Sequence, residues 1–244
     1  NAILTAFVGD ALEGGAVARA SARLTDRFPG PEATPLVELE PGLFVLELFH
    51  GPTAAFKDYA MQMVAVLAEA AMAGRGERLL LVTATSGDTG AAAVRAFGDV
   101  DRIDLVVLHP LGRVSPVQRL QMTTTGAAGL SADRRVSSVN SINWGRLAGQ
   151  IPYYASAAAA LGSDAGKATY VVPTGNFGDA FAGWGARRMG LPMAGLIAAT
   201  NRNDALARAL DTGVYERAAA HSTASVSMDV QAPSNFERLV FEAS

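Results

Sequence analysis

The 244-residue sequence has no cysteine, which excludes a disulfide framework, a thiolate metal site and a cysteine nucleophile. It is also short of charge: 18% of residues are charged and the formal net charge is −3. No positive surplus exists to condense on a phosphate backbone, so nucleic acid is not an expected partner. Long apolar runs are missing too. The longest, such as Leu79 to Ala84, fall far below the roughly 20 residues that span a bilayer. With no visible signal pattern either, a cytoplasmic protein without membrane contact is expected. The three histidines, His50, His109 and His221, are scattered, no HExxH spacing occurs, and no metal is expected. Lysine is nearly absent: two of the 20 basic residues, Lys57 and Lys167, are lysines. Lysine can form a Schiff base and arginine cannot, which draws attention to both.

What is present is apolar residues, at 50% of the chain, enough for a folded core in one large domain or two small ones. Strand-like runs alternate with helix-like runs, the pattern of a parallel α/β architecture. The expected strands are Phe44 to Phe49, Leu79 to Ala84, Leu105 to Leu108, Tyr170 to Val172 and Leu196 to Ala199. The expected helices are Tyr59 to Ala73, Thr89 to Phe97, Val114 to Met122, Trp144 to Leu161 and Asp179 to Met189. Gly74, Gly98, Gly162 and Gly190 stand where a left-handed residue closes a helix. The stretch from Phe28 to Gly42 reads as a connector behind a helical N-terminal segment. From Thr123 to Ser138 the sequence carries no period, although the alternation calls for a further strand and helix there.

Four stretches could carry chemistry. In HGPTAAFKD (His50 to Asp58) a Gly-Pro turn opens a helix and sets Lys57 beside Phe56. A lysine desolvated there becomes a nucleophile for a carbonyl; the plain alternative is a surface lysine. In TATSGDTG (Thr83 to Gly90) a strand passes through two glycines into a helix, whose first amides bind anions. The alternative is an ordinary N-cap by Ser86 or Asp88. VPTGNFGD (Val172 to Asp179) repeats the theme, with a turn whose consecutive amides form a nest for phosphate, or else a tight strand-to-helix turn using glycine for positive φ. NSINWGR (Asn140 to Arg146) combines arginine and amides suited to a phosphate or carboxylate, or else caps a helix.

Taken in order, HGPTAAFKD, TSGDTGAA, NSINWGRLAGQ, PTGNFGD, ATNRND (Ala199 to Asp204) and MDVQAPSNFERL (Met228 to Leu239) resemble the threonine synthases. The resemblance spans nearly the whole chain. It implies the tryptophan synthase β-like, fold type II architecture, with two open parallel-sheet α/β domains and a partial helical N-terminal segment. It implies pyridoxal 5'-phosphate as cofactor and conversion of O-phospho-L-homoserine and water to L-threonine and phosphate. By the resemblance Lys57 is the Schiff-base lysine and catalytic base, and the turn of Gly175, Asn176, Phe177, Gly178 and Asp179 cradles the cofactor phosphate. Thr85, Ser86, Asp88 and Thr89 then hold the substrate carboxylate or cofactor edge, and Asn140, Ser141, Asn143 and Arg146 hold the substrate phosphate.

The resemblance further implies a cofactor domain of 44–74 plus 163–244, a smaller mobile domain of 75–162, and an N-terminal segment and connector of 1–43. Family members are longer at both ends, and their threonine at the pyridine nitrogen has no counterpart before Ser244. Two other readings stay open: a dehydratase or cysteine synthase of the same fold, and a threonine synthase-like binder of pyridoxal phosphate or a phosphorylated metabolite without turnover.

Overall fold

The computed structural model describes residues 2–8, 11–12, 15–85, 87–109, 122 and 135–243. The chain divides into two compact units, residues 1–149 and 150–244.

In the first unit, helices α1 (Ala2–Val8) and α2 (Ala16–Arg27) precede a hairpin of β1 (Leu36–Glu40) and β2 (Leu43–Leu46). The expected connector therefore contains a strand, and the expected strand Phe44 to Phe49 is antiparallel to it instead of joining a parallel sheet. Pro41 and Gly42 are the reason: Gly42 takes φ +81° directly after proline, the sequence of a reversing turn, and Glu40 pairs with Leu43 across it. Helix α3 (Lys57–Ala73) follows, then β3 (Leu79–Ala84), α4 (Asp88–Phe97), β4 (Ile103–Leu108) and the short β5 (Arg135–Ser137). The sheet order is β4-β3-β5, all parallel. Strand β5 lies inside the stretch read as aperiodic, and its three exposed residues are too few to show a period. The expected helix Val114 to Met122 lies outside the described residues except for Met122, which is buried.

Helix α3 is apolar around most of its circumference, as a helix covered on two sides must be. Met61, Ala65 and Met72 pack with Leu79 and Leu81 of β3 and Ala92, Ala93, Ala96 and Phe97 of α4. Its Met63 and Val66 pack instead with Leu4 of α1 and Ala20 of α2. Helix α5 (Trp144–Leu161) begins in the first unit, and Gly149 lets it approach α3, since a Cβ there would stand 2.9 Å from the Ala60 Cα.

The second unit repeats the strand-turn-helix-strand design. After a 3-10 turn at Gly162–Lys167, β6 (Thr169–Pro173) leads through a glycine turn into α6 (Gly178–Arg188) and back to β7 (Gly195–Ala199), parallel to β6. Helices α7 (Ala205–Thr212) and α8 (Phe236–Ala243) complete it. Strand β3 and helix α5 match the expected bounds, and most of the others differ by one or two residues. The glycine closures divide: Gly162 (φ +57°) and Gly190 (φ +96°) are left-handed, whereas Gly74 and Gly98 are right-handed. At Gly98 the reason for glycine is space, because a Cβ would meet the Val94 carbonyl oxygen at 2.7 Å.

Candidate active site

In a βαβ unit the loops at the carboxyl ends of the strands carry ligands, and the candidate residues of the first unit gather there. Lys57, the first residue of α3, is buried, with its ammonium 4.3 Å from the centre of the Phe56 ring. Its Nζ donates to Asp88 Oδ2 at 3.1 Å. The surface-lysine alternative is thereby removed, and the starts of α3 and α4 are joined.

Asp58, fully buried, builds the turn in front of Lys57. It accepts from the Thr53 amide (2.8 Å) and hydroxyl (2.8 Å). Burial pushes its carboxyl up from the usual carboxylate range, against the hydrogen bonds from Thr53 and Ala55 and the Lys57 charge. Gly51 leaves the room this needs: a Cβ there would stand 2.6 Å from the Asp58 side chain.

After β3, the Thr85 hydroxyl accepts from the amides of Gly87 (3.0 Å) and Gly90 (3.3 Å), so Thr85 has a part in the capping that the plain alternative gave to Ser86 or Asp88. Thr89 sits in the first turn of α4, half-buried. Ser86 lies outside the described residues. Asn140 docks the next loop onto the end of β3: its Nδ2 donates to the Ala84 carbonyl (2.6 Å), and its Oδ1 accepts from the Ala84 amide (3.3 Å) and the Ser138 hydroxyl (2.6 Å). Ser141 lies in the turn that follows. Asn143 caps α5, its Oδ1 accepting from the Gly145 amide at 2.9 Å. Arg146, one turn on, is 2% exposed and donates to the Val139 carbonyl at 3.2 Å. Lys57, Asp88, Thr85 and Asn140 thus converge on the end of β3, with Asn143 and Arg146 forming the helix start behind Asn140.

In the second unit, the turn after β6 holds Phe177 at φ +64°. The amides of Gly175, Asn176 and Phe177 donate to no acceptor among the described residues, and the first amides of α6 follow them. Asp179 braces the turn from behind, accepting from the Thr174 hydroxyl (2.9 Å), while its own carbonyl accepts from the Tyr154 hydroxyl at 2.7 Å. Such a row of donors fits an anion such as phosphate, and the backbone geometry that presents it is already formed.

No family model matches the chain. Relatives do. It is 44% identical over 240 residues to the threonine synthase of Pseudomonas aeruginosa, covering 88% of this chain and 51% of that protein. A threonine synthase from Brucella melitensis solved with PLP bound superimposes with a TM-score of 0.91 and 46% identity, covering 99% of this chain and 57% of that one. The chain is similar to threonine synthases over nearly its whole length. It spans about half the length of the curated threonine synthases it matches. The fold reaches wider than the family: cysteine synthase from Entamoeba histolytica superimposes with a TM-score of 0.62 at 17% identity, and the architecture is that of the fold type II enzymes.

Sequence reading missed three features of these candidate residues. Asp88 pairs with the lysine, Asp58 shapes the turn that presents it, and residues 227–235 bear on the glycine turn. The last was signalled by the MDVQAPSNFERL stretch, but more than fifty residues separate it from the turn it touches.

Proposed function

We propose that the chain carries the catalytic machinery of a threonine synthase, a PLP-dependent lyase converting O-phospho-L-homoserine and water to L-threonine and phosphate. The observation that carries this reading is Lys57, buried at a helix start and paired with Asp88, in a chain similar to threonine synthases over 88% of its length. Pyridoxal 5'-phosphate fits the residues present. Lys57 would hold its aldehyde carbon, and the amides of Gly175, Asn176, Phe177, Gly178 and Asp179 its phosphate. When bound, the cofactor supplies an electron sink for the carbons of the substrate.

The chain's own groups do the rest. Lys57 Nζ removes the proton at the substrate Cα and returns protons later. Thr85, Ser86 and Thr89 offer hydroxyls to the substrate carboxylate, whereas the negative charge of Asp88 suits it to the amine side, where Lys57 already is. Asn140 and Asn143 shape the loop that brings Ser141 and Arg146 to the substrate phosphate. Within this reading 75–162 is the smaller domain, 44–74 with 163–244 is the cofactor domain, and the enzyme works in the cytoplasm on a small metabolite. No described helix is long and apolar enough to cross a membrane.

The test is borohydride reduction of the cofactor-saturated protein followed by peptide mapping, with product analysis from O-phosphohomoserine. A phosphopyridoxyl adduct on Lys57 and threonine with free phosphate are expected. An adduct on Lys167 alone overturns the lysine assignment, and a 2-oxoacid product in place of threonine overturns the reaction.

A further inference from the structure

The ATNRND stretch has no part in the site as described so far, and MDVQAPSNFERL enters it only through the contacts of residues 227–235 with the glycine turn. In the second unit they form one knot around Asp229. Its Oδ1 accepts from Asn201 Nδ2 (2.8 Å), Asn203 Nδ2 (3.1 Å) and the Thr223 hydroxyl (2.6 Å). Its Oδ2 accepts from the Thr223 amide at 2.9 Å. Asn203, buried, also donates to the His221 carbonyl and accepts from the His221 amide (2.9 and 2.7 Å). The loop leaving β7 is thereby tied to residues 221–229. The same loop follows Ala199, whose carbonyl accepts from the Thr174 amide at 2.9 Å.

The residues flanking Asp229 press on the glycine turn. A Cβ on Gly175 would stand 3.1 Å from Val230 Cγ2, 3.2 Å from Met228 Cα and 3.3 Å from the Ser227 carbonyl oxygen. Farther on, Asn235 donates to the Asn176 carbonyl from both its amide (3.1 Å) and its Nδ2 (3.2 Å), and Ser234 donates to Asn176 Oδ1 at 3.4 Å. Each of these contacts engages a carbonyl, a side chain or a Cα of the turn. None engages the amides of Gly175, Asn176 or Phe177, so the clamp fixes the turn while leaving its donors to a ligand.

We propose that Asp229 is a positioning residue for phosphate: by knotting residues 199–204 to 221–229 it holds residues 227–235 against the glycine turn and keeps the turn's amides aimed at one anion. The proposal rests on the reading that this turn takes the cofactor phosphate. It concerns affinity for the phosphoryl group and not the covalent bond to Lys57, and that separates it from general loosening of the fold.

The experiment titrates the cofactor-stripped protein with pyridoxal 5'-phosphate and, separately, with pyridoxal, which lacks the phosphate, following the near-ultraviolet absorbance of the bound aldehyde. The native protein is expected to prefer the phosphorylated form, and Asp229→Ala to lose roughly tenfold in affinity for it with pyridoxal binding unchanged. Equal losses for both ligands, or no loss for either, overturn the proposal. A native protein without preference for the phosphorylated form overturns instead the assignment of the turn, and the proposal with it. Should Asp229→Ala fail to fold by circular dichroism, Thr223→Val removes one donor to the same carboxylate and decides the matter. A phosphate-selective loss of a few-fold supports the knot, and unchanged selectivity overturns it.

Discussion

Lys57 is buried because its neighbours make room for it and supply a counter-charge. The Phe56 ring lies against its ammonium, Asp88 accepts a hydrogen bond from that ammonium, and Asp58 instead holds the turn before it. The division of roles between Asp58 and Asp88 was not legible in the sequence, because spacing along the chain does not say which carboxylate meets which donor. Lys57→Ala is expected to abolish the borohydride-trapped adduct and threonine formation while leaving circular dichroism unchanged; a trapped adduct in that variant refutes the assignment. Asp58→Ala strands the Thr53 amide and hydroxyl, and a buried donor left without a partner costs about 1–3 kcal/mol. Urea denaturation is expected to show a lower midpoint with an unchanged slope, and an unchanged midpoint would mean that the turn holds itself.

At the scale of elements, small residues set the distances between helices. Gly183 of α6 faces Tyr154 of α5, where a Cβ would stand 2.6 Å from the ring Cζ. Tyr154 cannot simply swing away, since its hydroxyl donates to the Asp179 carbonyl behind the glycine turn. Gly183→Ala is therefore expected to destabilise the protein by roughly 1–3 kcal/mol through overpacking. Thermal unfolding checks this, and a raised melting temperature would show that the pair has slack. Helix α2 is fastened by charge. Arg23 donates to Gln62 Oε1 (2.7 Å) on α3 and to the Ala96 carbonyl (2.6 Å) at the end of α4, and both Arg23 and Arg27 pair with Asp99. Strands and helices were legible here through their periods. The β1–β2 hairpin was not, because strand-like residues do not declare which way their partner runs.

Over the whole molecule, these carboxylates set the response to acid. Burial raises the pKa of Asp99, but the hydrogen bond and charge of Arg23 and the charge of Arg27 outweigh it and hold the group below its usual 3.8. Asp229 behaves likewise: burial raises it, and the Thr223 hydroxyl, the Thr223 amide and the Asn201 amide group more than compensate. A depressed folded-state pKa contributes stability that is fully present above the unfolded value and is lost as pH falls through the folded one. Stability is thus expected to fall as pH drops below about 3.8, and Asp99→Asn to flatten part of that fall in pH-dependent denaturation. An identical profile in the variant would remove Asp99 from the account. Asp58 has the opposite sign, since burial raises its pKa and the stability linked to it declines as pH rises through that value. The sequence by itself determined the alternating elements, the two strand-glycine-helix turns and the lysine, because hydrophobic period and turn chemistry are local properties written in consecutive residues. Tertiary structure alone decided that Asp88 meets Lys57, that Asn140 docks on the end of β3, and that Asp229 braces a turn fifty residues away. Those pairings come from where parallel crossovers bring distant loops together, and no local pattern encodes them.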